Sequence, residues 1–153
     1  MRISELSGTP INTIKLVLPS LSVNEGIVRS VIAAFCAHLG PTATDIADVK
    51  CAVSEAVTNC IVHAYKNDVG LIYITAEAFP NSTLKLTVRD KGCGIADIKQ
   101  ARQPLFTTDA ENERSGLGFT VMESFMDKLL VRSKQGKGTT VTMIKRMGSM
   151  PRE

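Results

Sequence analysis

Apolar and polar positions along this chain follow two rhythms, one of three to four residues and one of two. Ile14 to Leu18 reads as a strand closed by Pro19. Ser22-Val-Asn-Glu25 has the form of a capping box, in which side chains satisfy the free N–H groups of a helix start. Behind it Ile27, Val28, Val31, Ile32, Phe35, Cys36 and Leu39 recur at helical spacing until Gly40-Pro41 ends the run. A second helical pattern starts near Thr42-Ala-Thr-Asp45, with Ile46, Val49, Val53, Ala56, Val57, Cys60, Ile61 and Ala64 on one stripe. Asn67-Asp-Val-Gly70 reads as a turn. The rhythm then shortens. Leu71 to Phe79 and Leu84 to Arg89 read as strands around Pro80-Asn-Ser82, and Leu84, Leu86 and Val88 alternate with Lys85, Thr87 and Arg89 as in a half-buried sheet.

From Asp90 to Ser115 the periodicity fails, and so long an irregular stretch in a compact chain is uncommon unless it is functional. Gly116 to Met126 looks helical again. Leu129 to Arg132 and Thr139 to Ile144 read as strands joined across Gln135-Gly-Lys-Gly138. Strands that follow one another through tight turns predict an α+β two-layer sandwich, a mostly antiparallel sheet with helices on one face. At 153 residues the expectation is a single domain over 1–153, with its core at about 11–146.

Composition narrows the function classes. With 44% hydrophobic and 22% charged residues, a disordered chain is excluded. No apolar run reaches membrane length and the N-terminus lacks a signal-peptide layout, so a cytoplasmic protein without membrane contact is expected. The formal net charge of +3 is spread without a basic run, which speaks against direct nucleic-acid binding. Cys36, Cys51, Cys60 and Cys93 form no CxxC pair, so zinc spacing is absent. Cys51 and Cys60 read as small core residues of the second helix. Cys93 sits in a glycine-rich loop with nothing nearby to lower its pKa.

The candidate chemistry lies in the glycines and in one helix face. Gly92/Gly94 follow a strand through Asp90, Gly116/Gly118 open a helix, and Gly136/Gly138 join two strands. Glycines at a helix start let backbone N–H groups approach an anion. A carboxylate at a strand end can accept from an exocyclic amine such as adenine's. Taken alone, Gly136/Gly138 suits a plain hairpin turn. Neither the dinucleotide fingerprint nor the P-loop is met, since Gly136-Lys-Gly-Thr139 lies between strands and lacks the first glycine. On the second helix Glu55, Asn59 and His63 share one face, where Glu could act as a base and Asn as a neutral oxygen ligand for Mg²⁺.

These segments resemble a known family. Ser54-Glu55-Ala-Val-Thr-Asn59-Cys-Ile-Val-His63-Ala resembles the N box of the GHKL, or Bergerat-fold, ATPases. Asp90-Lys-Gly92-Cys-Gly94-Ile95 resembles their adenine-binding box, Ser115-Gly116-Leu117-Gly118-Phe119 their second glycine box, and Gly136-Lys-Gly138-Thr139-Thr140 their last. Asn24-Glu25 with Arg29, Pro104-Leu-Phe-Thr107-Thr108 and Arg114-Ser-Gly-Leu-Gly-Phe-Thr120 are similar to the bacterial anti-sigma serine kinases, the sporulation branch in particular.

That resemblance implies ATP and Mg²⁺ as cofactors and a homodimer. The implied partners are an F-type RNA polymerase sigma factor, to be held, and an anti-anti-sigma protein, to be phosphorylated on serine. It implies Glu55 as the catalytic base and Asn59 as the Mg²⁺ ligand, with His63 completing the box. Asp90 would fix adenine, with Gly92, Gly94 and Ile95 shaping its loop and Thr139 orienting either. Residues 104–115 would form a lid carrying Thr107, Thr108 and Arg114, Ser115 to Phe119 would bind phosphate, and Arg29 would dock both partners. A sigma-sequestering ATP-binding module without kinase activity, or a general-stress-type anti-sigma kinase, stays open as an alternative. A histidine kinase would need a phosphoacceptor His on a dimerising hairpin, which is not expected here, and His38 reads as structural.

Overall fold

The computed structural model describes residue 6 and residues 8–103 and 118–148. Its elements run β1 (Asn12–Pro19), α1 (Val23–Cys36), a 3₁₀ turn (Ala37–Leu39), α2 (Ala43–Asn59), a π-type turn (Cys60–Ala64), β2 (Leu71–Phe79), β3 (Thr83–Asp90), the short α3 (Ile98–Ala101), α4 (Gly118–Phe125), β4 (Lys128–Lys134) and β5 (Gly138–Arg146). The five strands form one sheet in the order β1-β2-β3-β5-β4, and every neighbouring pair is antiparallel. The expected mixed fold with an antiparallel sheet is the one observed.

The period-two pattern explains the register. Ile74 faces Val88, Ala76 faces Leu86, Leu86 faces Met143 and Val88 faces Val141, so one sheet face is continuously apolar. These side chains are buried together with Val28, Ile32, Val49, Val53, Ala56 and Val57 of α1 and α2 and Met122 of α4. Each large aliphatic side chain in this core removes enough apolar surface from water to contribute about 1.5–3 kcal/mol. The other sheet face carries Lys85, Thr87, Arg89, Thr142 and Arg132, as the alternation requires.

The helix starts differ from expectation in an instructive way. Ser22 is already helical in its backbone and its side chain makes no cap hydrogen bond. The chain has begun to turn at Leu21, whose carbonyl accepts from Asn24 N, so the hydroxyl is not presented to the free N–H groups. Asn24 instead turns its amide onto the Pro19 carbonyl, 2.8 Å away. Ile27, placed on the buried stripe by its spacing, is 48% exposed. A full capping box does form at α2, where Thr42 and Asp45 exchange backbone-to-side-chain bonds of 2.9 and 3.0 Å. Within the stretch expected to be irregular, Asp97 caps the single turn of α3 by accepting from Gln100 N.

The start of α2 is tied to the end of β5. Asp45 Oδ2 also accepts from Gly148 N at 2.8 Å. Lys145, nearly buried, lies 3.4 Å from Asp48 and 3.9 Å from Asp45 and donates to the Phe125 carbonyl at 3.0 Å. His38 stays exposed and packs edge-on against Phe35, with ring centroids 5.2 Å apart.

Candidate functional site

Asp90 is the last residue of β3 and only 6% exposed. Its Oδ1 accepts from Gly92 N at 2.9 Å and from Thr139 N at 3.2 Å. Its Oδ2 accepts from the Cys60 thiol at 3.6 Å. Burial pushes the carboxyl above its usual value of 3.8, and the three donors only partly offset this. Two backbone donors and one thiol leave a carboxylate's acceptor capacity unfilled. No cation is among its partners in the described residues.

The loop after Asp90 is clamped from several sides. Gly92 lies so close to the end of the helical segment that a Cβ there would collide with the Ala64 carbonyl. That carbonyl accepts from Cys93 N at 3.0 Å, and the Cys93 carbonyl accepts from Gly136 N at 2.7 Å. The Gly136/Gly138 segment is therefore a hairpin turn between β4 and β5 and also a wall of this loop. Gly138 (φ +109°) begins β5 against the Asp90 carbonyl, a left-handed backbone and a close approach that any side chain would disturb. Ile95 N donates to Ser133 Oγ at 2.7 Å, and Ser133 donates to the Gly138 carbonyl and lies 2.8 Å from Thr139 Oγ1. Lys91 N donates to the Tyr65 hydroxyl at 2.7 Å, which donates to the Leu71 carbonyl at 2.6 Å.

A second polar group lies at the start of α4. Glu55 and Asn59, one turn apart on α2, are half-buried. A Cβ on Gly118, the first residue of α4, would sit 3.3 Å from both Glu55 Oε2 and Asn59 Oδ1. A side chain there would press on both groups, so glycine keeps the helix start in close register with them. Phe119, half-buried, packs on the core behind them. A carboxylate and a neutral carboxamide oxygen beside a helix N-terminus suit a hard cation shared with an anion. Among the described residues no three His, Cys, Asp or Glu gather as a metal cage. The two oxygen donors suit Mg²⁺, which takes few protein ligands and completes its shell with phosphate and water oxygens.

The structure brings together Asp90, Gly92, Gly94, Ile95 and Thr139 at one end and Glu55, Asn59, Gly118 and Phe119 at the other. His63 stands in the π-type turn and its carbonyl accepts from the Cys93 thiol at 3.3 Å. Such wide turns occur often where helices meet function. Thr139 reaches Asp90 through its backbone N–H, while its hydroxyl turns to Ser133. Thr107, Thr108, Arg114, Ser115, Gly116 and Leu117, with the expected lid at 104–115, lie outside the described residues. Arg29 is on α1, 3.1 Å from Glu25 one turn earlier. Sequence reasoning missed three contributors. Cys60 was expected only as core, and Ser133 and Tyr65 carry no motif.

Residues 18–145 match the family described as the histidine kinase-like ATPase domain. The chain is 54% identical over 137 residues to the anti-sigma F factor of Caldanaerobacter subterraneus subsp. tengcongensis, covering 90% of this chain and 95% of that protein. It is 54% identical over 138 residues to the anti-sigma F factor of Thermoanaerobacter sp. (strain X514), covering 90% of this chain and 96% of that protein. Among solved structures, the RsbU and RsbW domains of a Mycobacterium tuberculosis protein superpose with a TM-score of 0.68 at 23% identity, covering 94% of this chain and 34% of that one, a likeness of fold. Among the described residues no helix is long and apolar enough to cross a membrane. The chain belongs to the histidine kinase-like ATPase domain family and, within it, to the anti-sigma F factors.

Proposed function

We propose that this chain is an anti-sigma factor of the sporulation type that is also an ATP-dependent protein serine kinase, acting in the cytoplasm as a homodimer. One observation carries the kinase reading. A buried carboxylate at a strand end and a base-plus-carboxamide pair beside a helix start meet the same short stretch of chain, the last turn of α2 and the π-type turn that follows it.

Asp90 accepts the adenine 6-amino group, and the clamped loop of Gly92, Gly94 and Ile95 holds the base plane. The backbone N–H groups at the start of α4 receive the phosphates, and Ser115, Gly116 and Leu117 are assigned to phosphate binding together with Gly118 and Phe119. Arg114 contacts the γ-phosphate, and Thr107 and Thr108 belong to the closing segment. Asn59 would hold Mg²⁺, which when bound neutralises charge on the phosphates. Glu55 takes the proton from the serine hydroxyl of the anti-anti-sigma partner. The serine oxygen then bonds to the γ-phosphorus, the bond to the β,γ-bridging oxygen breaks, and ADP leaves. Little covalent chemistry is asked of the protein, so positioning and charge suffice. Arg29, with Glu25 beside it, offers a docking point on α1 for the sigma factor and for the phosphorylated partner.

The experiment is incubation of the protein with labelled ATP, Mg²⁺ and candidate anti-anti-sigma proteins, scored for phosphoserine. Label on an acceptor serine is expected. Label on histidine, or phosphate released to water without acceptor, would overturn the serine-kinase reading.

A further inference from the structure

Cys60 is used by no step above, yet it is 3% exposed and aims its thiol at the one carboxylate proposed to read the base. We propose that Cys60 is a positioning residue of the adenine pocket: from beneath the site it donates its S–H to Asp90 Oδ2, holding Asp90 as an ionised acceptor whose remaining lone pair meets the 6-amino group. This rests on the reading of Asp90 as the adenine contact.

The two oxygens of Asp90 are held differently. Oδ1 takes two backbone N–H groups, from Gly92 and Thr139, which belong to the fold and survive any side-chain change. Among the described residues Oδ2 takes the thiol alone. A donor to the charged form of a carboxylate favours that form, so deleting the S–H raises the pH at which Asp90 takes up a proton. A protonated carboxyl has lost acceptor capacity and no longer favours an amine. The thiol itself stays protonated, since burial and the nearby Asp90 charge push its pKa far up.

No cation is among the hydrogen-bond partners of Asp90 in the described residues, and His63 of the same turn meets the Cys93 thiol through its carbonyl. From the helix end come Cys60 and Tyr65, whose hydroxyl is committed to Lys91 N and the Leu71 carbonyl. The Lys91 ammonium lies over the Tyr73 ring at 5.0 Å, and Arg89 is over the same ring at 5.8 Å. The β4–β5 hairpin contributes the hydroxyls of Ser133 and Thr139, which engage each other.

The test measures the affinity of ATP and of purine riboside triphosphate, which lacks the 6-amino group, from pH 5 to 8 for wild type, Cys60→Ala, Cys60→Ser and Asp90→Asn. Preference for ATP should fall on the acid side in wild type. In Cys60→Ala that fall should move up by about 0.5–1 pH unit, the size expected for one modest hydrogen bond. In Cys60→Ser, where a hydroxyl replaces the donor, it should return toward wild type. A merely structural role would weaken both nucleotides alike and leave the midpoint in place, and that result overturns the proposal. The Asp90→Asn arm separates the failures. If it keeps the full preference for ATP, the adenine reading itself is wrong. If it loses that preference while Cys60→Ala shows no shift, only the Cys60 inference falls. Infrared spectra of the ligand-free protein add a readout independent of nucleotide: the Cys60 S–H stretch should lie at lower frequency in wild type than in Asp90→Asn. Equal frequencies would contradict the bond.

Discussion

Two buried aspartates, 45 residues apart in the chain, have opposite surroundings. Asp45 and Asp90 are each 6% exposed, but Asp90 lies deeper among protein atoms and has lost more of its hydration. At Asp45 burial would raise the pKa, but bonds from Gly148 and Thr42 and the charge of Lys145 outweigh it, and the carboxyl ends below its usual 3.8. At Asp90 burial wins over the donors of Gly92, Thr139 and Cys60, and the carboxyl ends above it. The difference lies in depth and in charge. Asp45 has two backbone donors and the ammonium of Lys145 at 3.9 Å. Among the described residues Asp90 has neutral donors only. A buried carboxylate without a cation is costly to the fold, and such costs gather at sites that a ligand completes.

Breaking the cation-paired side should give the largest effect on stability. Asp45→Ala removes one half of the α2 capping box, the acceptor of Gly148 N and one of two acidic partners of Lys145, and should cost about 2–4 kcal/mol. Urea unfolding measures it; a cost under about 0.5 kcal/mol would erase the contrast. Asp90→Asn should do the reverse. It keeps an oxygen for Gly92 N and Thr139 N, so unfolding should stay near wild type while ATP affinity falls by about 1–3 kcal/mol, one charge-assisted bond. Calorimetry with unchanged ATP affinity would refute it.

The smallest effect is the pH dependence, where the two residues have opposite signs. The stability that Asp45 contributes is present above pH 3.8 and is lost as pH falls through its lowered folded value. The penalty from Asp90 is present at neutral pH and is relieved as pH falls through its raised folded value toward 3.8. Wild type and Asp90→Asn should therefore converge in stability on acidification over that range, while wild type keeps its advantage over Asp45→Asn until below 3.8. Parallel curves for all three proteins would show that the two environments do not differ.

What the sequence disclosed follows the same division. The alternation in β3 was legible because only one face of that strand is buried, and Val28, Ile32 and Leu39 because a helix repeats its buried face. Ile27 was misread because spacing marks a stripe but not its edge, which depends on what lies opposite. Glu55, Asn59 and Asp90 stood out through their place in local motifs. Cys60 and Ser133 did not, since their partners are 30 and 38 residues distant and no local spacing encodes such a meeting. The clamps on the loop after Asp90 are products of the sheet's register, which brings Asp90 opposite Thr139.

On the proposed reading this site binds ATP and transfers its γ-phosphoryl to serine, with Glu55 as the base. Glu55→Gln tests it directly, with phosphoserine formation on the anti-anti-sigma protein and ATP affinity measured on the same preparation. The expected result is transfer slowed by at least about 100-fold, the lower range for a general base, with ATP affinity held within about twofold. Transfer at the wild-type rate, or a loss explained wholly by weaker ATP binding, would contradict it.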